Sequence, residues 1–157
     1  MSYHACMSNP ISRIAGLSLV LAVCVMAADE PSKKKVVTPK DSPATGRPFS
    51  AGILAGDTLY VSGQGGFDSK TKKIPDSFED EVRSCLNNVH AVLEAGGMDY
   101  ADVVAVQVYL TDMDLFQRMN AVYMDVFKEP RPTRTTLGVS KLAGAGAHIE
   151  ITVTARK

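Results

Sequence analysis

Two charged residues stand where a fixed charge could do chemistry. Arg134 follows Pro132 at the start of a β-like segment, and a guanidinium binds a carboxylate through two hydrogen bonds while staying charged at any working pH. Glu150 lies between Ile149 and Ile151, so in a strand it points away from them and could direct or accept a proton. From the residues alone, a structural arginine and a solvent-facing glutamate explain the two equally well.

Ser62, Gly63 and Gln64 end another β-like segment and offer polar groups beside a flexible backbone. Glycine lets a ligand approach the chain closely, and serine can donate a hydrogen bond. An ordinary turn at the end of a strand explains the same three residues, so they remain candidates for binding.

Composition and spacing argue against several classes of site. The 3 His and 3 Cys residues share no metal-ligand spacing, and the glycines near position 144 lack the strand–loop–helix setting of a phosphate-binding loop. A formal net charge of +0 and the absence of Trp leave neither a basic field nor a stacking surface for nucleic acid. We therefore predict no metal, no cofactor and no nucleic-acid partner.

The beginning of the chain differs in kind from the rest. Arg13 precedes an apolar run over residues 14–26, which is shorter than the roughly 20 residues of a membrane span, and Val25-Met26-Ala27 has the small-x-small pattern of a cleavage site. We predict a signal peptide over residues 1–27, a periplasmic or secreted protein, and no stable membrane span after processing. The alternatives are an uncleaved anchor, or a cytoplasmic protein whose start codon is assigned too early. Residues 28–45, rich in Pro, Lys, Asp and Ser, are predicted to be a flexible linker.

Residues 46–157 are predicted to form one domain that positions the candidate residues. Two amphipathic helices are expected, one from Ser77 to Gly96 and one from a cap at Thr111 or Asp112 to Pro130. The predicted strands cover residues 49–54, 58–64, 102–110, 133–140 and 148–155.

The element order β-β-α-β-α-β-β predicts an α+β fold, a mixed sheet with two helices on one face. Apolar residues alternate with polar ones in the last two strands, at Ile149, Ile151 and Val153 and at Leu137 and Val139. Because two helices cover only one face of a sheet, we expect apolar area to remain for another subunit, which predicts an oligomer.

Three stretches of this domain resemble one family. They are Leu59-Tyr60-Val61-Ser62-Gly63-Gln64, Met119-Asn120-Ala121-Val122-Tyr123, and Arg131-Pro132-Thr133-Arg134-Thr135-Thr136-Leu137-Gly138-Val139 with the later His148-Ile149-Glu150-Ile151. From about residue 47 to the C-terminus the chain resembles the RidA/YjgF family. The resemblance implies a chorismate-mutase-like fold, a homotrimer with active sites between neighbouring subunits, and hydrolysis of 2-imino acids such as 2-iminobutanoate and 2-iminopropanoate to 2-oxo acids and ammonia.

The same resemblance assigns roles to individual residues. It implies that Arg134 binds the substrate carboxylate and that Glu150 orients the attacking water or takes its proton. Asn120 matches an asparagine of the cleft, although an exposed helix residue or a structural hydrogen bond would also explain it. Thr136 stands where many members have cysteine; its backbone amide could still contact the substrate, but thiol chemistry is excluded there. Phe49 stands where tyrosine is usual; it keeps an aromatic wall but loses a hydroxyl worth ~1 kcal/mol, so we expect altered specificity rather than inactivity.

Two other functions compete with an imine deaminase. A binding module could hold a small carboxylate without turning it over; Phe49 and the predicted export favour this, because imino acids made by enzymes that use pyridoxal phosphate arise mainly in the cytoplasm. An RNA-cleaving activity, as in some relatives, is opposed by the zero net charge and by the lack of a histidine pair for acid–base cleavage.

Overall fold

The computed structural model describes residues 34–40, 42 and 46–157. The signal peptide predicted for residues 1–27 lies outside these residues, so export stays a prediction. Within the described ranges, no helix is both long and apolar enough to cross a membrane.

A mixed sheet of six strands organises the described domain. In chain order the strands are β1 (Lys35–Val37), β2 (Gly52–Ala55), β3 (Thr58–Gly65), β4 (Val103–Leu110), β5 (Thr133–Gly138) and β6 (Ile149–Arg156). Their order across the sheet is β1-β2-β3-β6-β4-β5, and only β4 and β5 run parallel to each other. β5 therefore forms one edge of the sheet.

Two helices lie on one face of this sheet, α1 (Phe78–Ala95) and α2 (Phe116–Val126). The Ser77 side chain caps α1 by accepting a hydrogen bond from the Asp80 N–H at 3.1 Å, and Gly97 follows with φ 73°, a left-handed conformation that suits glycine. Asp112 caps a short 3-10 turn, Met113–Leu115, that leads directly into α2. The predicted α+β fold with two helices on one face is confirmed.

The N-terminal edge of the sheet differs from the prediction. β1 lies inside the predicted linker over residues 28–45, because Val36 and Val37 supply β-branched side chains and Val37 is buried opposite Gly52. The strand predicted from Phe49 begins only at Gly52, so Phe49 precedes β2. The polar composition of residues 28–45 predicted a linker, and a strand of only three residues within it was therefore missed.

The two faces of the sheet are covered differently. Ile149, Ile151 and Val153 of β6 are buried in the core shared with the helices, so they are not the apolar area that would remain for another subunit. On the opposite face Tyr60 and Leu137 remain 54% and 51% exposed. The oligomer prediction therefore depends on the second set of residues, which share their face with Glu150.

Candidate active site

Arg134 lies on edge strand β5, and its side chain points to the face that carries the helices. Its register partner on β4 is the buried Val106. The guanidinium carbon lies 4.5 Å from the centre of the Tyr123 ring and 5.6 Å from that of Phe116, and Nη1 lies 4.0 Å from Sδ of Met119. Aromatic faces and a thioether on α2 thus hold the cation by dispersion and cation–π attraction.

No carboxylate neutralises this cation within the described part of the chain. The ion pairs formed there involve other arginines and histidines, and neither Arg134 nor Glu150 takes part in one. The Arg134 guanidinium is half-buried, and apart from the Met119 thioether its N–H groups have no hydrogen-bond acceptor among the described residues.

Two buried hydroxyls accompany Arg134 and lack hydrogen-bond partners among the described residues. They are Oη of Tyr123, whose ring lies under the guanidinium, and Oγ1 of Thr136, two residues along β5 on the same face. Burial raises the pKa of Tyr123, while the positive charge of Arg134 acts in the opposite direction. An unsatisfied buried hydroxyl costs about 1–3 kcal/mol, so neither hydroxyl stabilises the single chain through a hydrogen bond among the described residues.

Asn120 belongs to the same corner. It follows Phe116 by four residues and precedes Tyr123 by three, so it lies on the α2 face that meets Arg134. Its side chain is half-buried. The structure thus brings together three of the predicted site residues, Asn120, Arg134 and Thr136.

Glu150 and Gly63 form a second cluster, on the open face of the sheet. A side chain at position 63 would collide with the Glu150 carboxylate, since its Cβ would lie 2.8 Å from Cδ and overlap the nearer oxygen. A bulge in β3 produces this contact: Val61 pairs with Val153 and Gln64 with Ile151, so two residues of β3 face a single residue of β6. Gly63 is therefore required as the surface on which the carboxylate rests.

Ser62 and Gln64 hold the bulge in shape. The backbone N–H and the hydroxyl of Ser62 both donate to the Ala51 carbonyl, at 3.0 and 3.1 Å. Gln64 Nε2 donates to the Ser62 carbonyl at 2.9 Å, and its register partner Ile151 places Gln64 on the helix face, away from Glu150. The geometry thus assigns Ser62 and Gln64 a local structural role within one chain.

A single chain does not assemble the whole predicted site. Glu150 and its register partner Tyr109 lie on the open face of the sheet, whereas Arg134 lies on the helix face. Strand β4 lies between β6 and β5, so the strands of Glu150 and Arg134 are about 10 Å apart. Phe49 is farther away, before β2, 55% exposed and 6.0 Å from the Arg47 guanidinium carbon. The predicted residues therefore fall into two clusters, one around Arg134 and one around Glu150.

Glu81 is a residue that the sequence reasoning missed. It is only 1% exposed and accepts hydrogen bonds from the backbone N–H of His148 at 2.7 Å and from its Nδ1 at 2.8 Å. It lies three residues after Phe78 and four before Cys85, which places it on the apolar stripe of α1. This position could have indicated from the sequence that Glu81 is buried. Cys85 itself is fully buried, and burial raises its pKa, so its thiol is not a nucleophile.

Known proteins resemble this chain over the whole of the domain. The family model described as Endoribonuclease L-PSP matches residues 39–157. A RutC family protein of Saccharolobus solfataricus is 41% identical over 125 residues, covering 79% of this chain and 98% of that protein. A 2-iminobutanoate/2-iminopropanoate deaminase of Dermatophagoides farinae is 32% identical over 121 residues, covering 76% of this chain and 94% of that protein.

A solved structure gives the same result in three dimensions. The crystal structure of E. coli TdcF with bound serine is 29% identical and superimposes with a TM-score of 0.72, covering 78% of this chain and 98% of that one. The matched region includes both clusters of candidate residues. Because the family model, the curated relatives and the solved structure all match its folded domain, the chain belongs to the RidA/YjgF family.

Proposed function

We propose that the protein hydrolyses small 2-imino acids to 2-oxo acids and ammonia. The observation that carries this proposal is the Arg134 guanidinium, held by aromatic rings and without a carboxylate partner among the described residues. A bidentate contact to the substrate carboxylate would use its N–H groups and fix the adjacent C=N carbon in place. The deaminase of Dermatophagoides farinae supports the same reaction class.

The chemistry requires one water and one proton relay. Water attacks the imine carbon, the C=N electron pair moves to nitrogen, and Glu150 takes the proton that the water loses and passes it to that nitrogen, giving a carbinolamine. In the collapse, Glu150 takes the proton of the hydroxyl, which becomes the carbonyl, and the C–N bond breaks as the nitrogen receives this proton and leaves as ammonia. Gly63 leaves the carboxylate room to perform both transfers, because no side chain covers it from β3.

We infer that two copies of the chain complete each site, as part of a homotrimer. Edge strand β5 carries Arg134, and the open sheet face carries Glu150 together with the exposed Tyr60 and Leu137. Docking the edge of one copy against the open face of the next would cover this apolar area and join the two clusters. The serine bound to E. coli TdcF is a small amino acid with a carboxylate, the chemistry that Arg134 would recognise.

Cleavage of RNA is less well supported, although the family model carries an endoribonuclease name. Among the described residues, His90 bonds Asp99 near the end of α1, and His148 bonds Glu81 near its start. His90 belongs to α1, and His148 binds Glu81 of α1. Positions 81 and 90 are nine residues apart, which is about 13 Å along a helix. Within one chain, histidines attached at these two points are poorly placed to act as the acid and base on one phosphodiester.

An ammonia-release assay tests the proposed reaction. A pyridoxal-phosphate-dependent dehydratase, or an amino-acid oxidase, generates the imine in place, and we expect the wild-type protein to speed formation of the 2-oxo acid. If turnover is absent but 2-oxobutanoate raises the melting temperature in a concentration-dependent way, the protein is a carboxylate-binding module instead. Absence of both effects would eliminate both functions.

Tyr123 provides a sharper test of how the arginine is held. Tyr123→Leu removes the ring beneath the guanidinium and should weaken 2-oxobutanoate binding about 3- to 30-fold, the range of a cation–π contact worth ~0.5–2 kcal/mol. Tyr123→Phe keeps the ring and should bind within about twofold of wild type without a lower melting temperature, since the lost hydroxyl has no partner among the described residues. Titration calorimetry and thermal unfolding measure the two effects, and equal weakening by both variants contradicts the proposed role of the ring.

A further inference from the structure

Glu81 is the only charged side chain buried among the residues that the structure describes. Burying a carboxylate is costly unless it is fully hydrogen-bonded, and here the bonds all go to one place. Oε1 accepts from the backbone N–H of His148 at 2.7 Å and lies 3.4 Å from that of Ile149, and Oε2 accepts from His148 Nδ1 at 2.8 Å. An ionised Glu81 can only accept, so while it is ionised Nδ1 carries the proton.

These bonds act at the point where β6 begins. Ile149 is the first residue of β6, and Glu150 is the second. The register with β3 ends at Glu150 and Gly65, so at Ile149 the ladder continues only on the β4 side, with Leu110. An amide bonded to a buried acceptor adds to the hold on this end of the strand. The His148 ring adds a second attachment, with an edge-to-face contact to Phe78 at 6.4 Å.

Glu81 also packs against the other strand that cradles Glu150. Gly65 of β3 is the register partner of Glu150, and Gly66 follows it. A side chain at Gly66 would overlap the Glu81 side chain and lie 2.6 Å from its carbonyl oxygen. One buried residue of α1 thus touches both strand ends that set the position of the Glu150 carboxylate.

We propose that Glu81 is a positioning residue for Glu150, acting through the amides of His148 and Ile149. The inference rests on the proposed deaminase function and goes beyond it, because Glu81 would not touch the substrate. Loss of Glu81 should therefore lower kcat, which depends on the placement of Glu150. KM should change little, because Arg134 lies on the other face of the sheet.

Three variants separate positioning from general destabilisation. Glu81→Ala removes the bonds, and we expect kcat to fall about tenfold or more. Glu81→Gln keeps an acceptor for the His148 amide and can donate to Nδ1 of the other imidazole tautomer, so kcat should stay within about threefold of wild type. Glu79→Gln is the matched control: this residue is on the same turn of α1, pairs with Arg118 and makes no contact with β6, and its kcat should equal that of wild type.

A double-mutant cycle with Glu150→Gln decides the matter. If Glu81 acts through Glu150, Glu81→Ala lowers kcat in the wild-type background and has no further effect in Glu150→Gln. Hydrogen exchange of the amides of residues 149–151 should be faster in Glu81→Ala than in Glu79→Gln. Independent losses in the cycle, or unchanged exchange, would overturn the proposal.

Two further arms keep the experiment decisive. If Glu81→Ala does not fold, His148→Ala takes its place; it keeps the backbone amide bonds to Glu81, loses the Nδ1 bond and the ring contact with Phe78, and should reduce kcat in the wild-type background alone. If the wild-type protein shows no imine hydrolysis, the deaminase proposal fails by itself. The exchange measurement then still decides whether Glu81 fixes the strand that carries Glu150.

Discussion

Arg134→Ala is expected to lower kcat/KM for a 2-imino acid about 100- to 10,000-fold. The lost interaction is a charge-assisted bidentate contact, in which each hydrogen bond to a charged group contributes about 1.5–3 kcal/mol. Arg134→Lys keeps the charge but loses the planar fork, so it should recover only part of the loss. Coupled assays with the imine generated in place measure these ratios, and 2-oxobutanoate binding should weaken in parallel.

The same substitution should leave the fold almost unchanged. Arg134 has no carboxylate partner among the described residues, so its removal breaks no ion pair within them. It loses the cation–π contacts with Tyr123 and Phe116, so we expect the free energy of unfolding to fall by about 1–3 kcal/mol. Arg156→Ala is the matched control, because Arg156 is exposed on β6 and pairs with Asp57; turnover should be unaffected there. Full activity of Arg134→Ala would rule out its role as the carboxylate anchor.

The helices and most strands could be predicted because their patterns are local. Ser77 caps α1 as expected, and apolar residues at three- and four-residue spacing form its buried stripe. β1 was not predicted, because two valines next to lysines in a polar segment do not form a recognisable strand pattern. Its stability comes from pairing with β2, whose sequence lies more than a dozen residues away.

The site was harder to predict than the fold, since it depends on contacts between distant segments. The sequence reveals which face Glu150 takes relative to Ile149, but the face of Arg134 relative to Glu150 depends on how β4 aligns with both strands. Glu81 is a charged residue within the apolar stripe of α1. It can be buried because its carboxylate accepts from the backbone N–H groups of His148 and Ile149, which lie 67 and 68 residues later in the chain. Local periodicity cannot reveal such a partner.

Mixed oligomers of two inactive variants provide the second large effect. Arg134→Ala and Glu150→Gln should each be nearly inactive alone. If a site takes Arg134 from one copy and Glu150 from its neighbour, an oligomer containing both variants has an intact pair at one junction. Co-expression with two different affinity tags and successive purification on both isolates these mixed oligomers. Activity should therefore reappear in a preparation whose every chain carries a disabling substitution.

The fraction of wild-type activity that the mixed oligomers recover also indicates how many chains form one oligomer. In a cyclic trimer, either mixed composition leaves one intact site in three, so activity should reach about one third of wild type, whereas a two-fold dimer would give about one half. Light scattering on the same sample measures the mass independently. The control pairs Arg134→Ala with the double variant Arg134→Ala/Glu150→Gln, which supplies no arginine at any junction and should stay inactive. Failure of the mixed oligomer to recover activity would place both residues in a site within one chain, against their positions on opposite faces of the sheet.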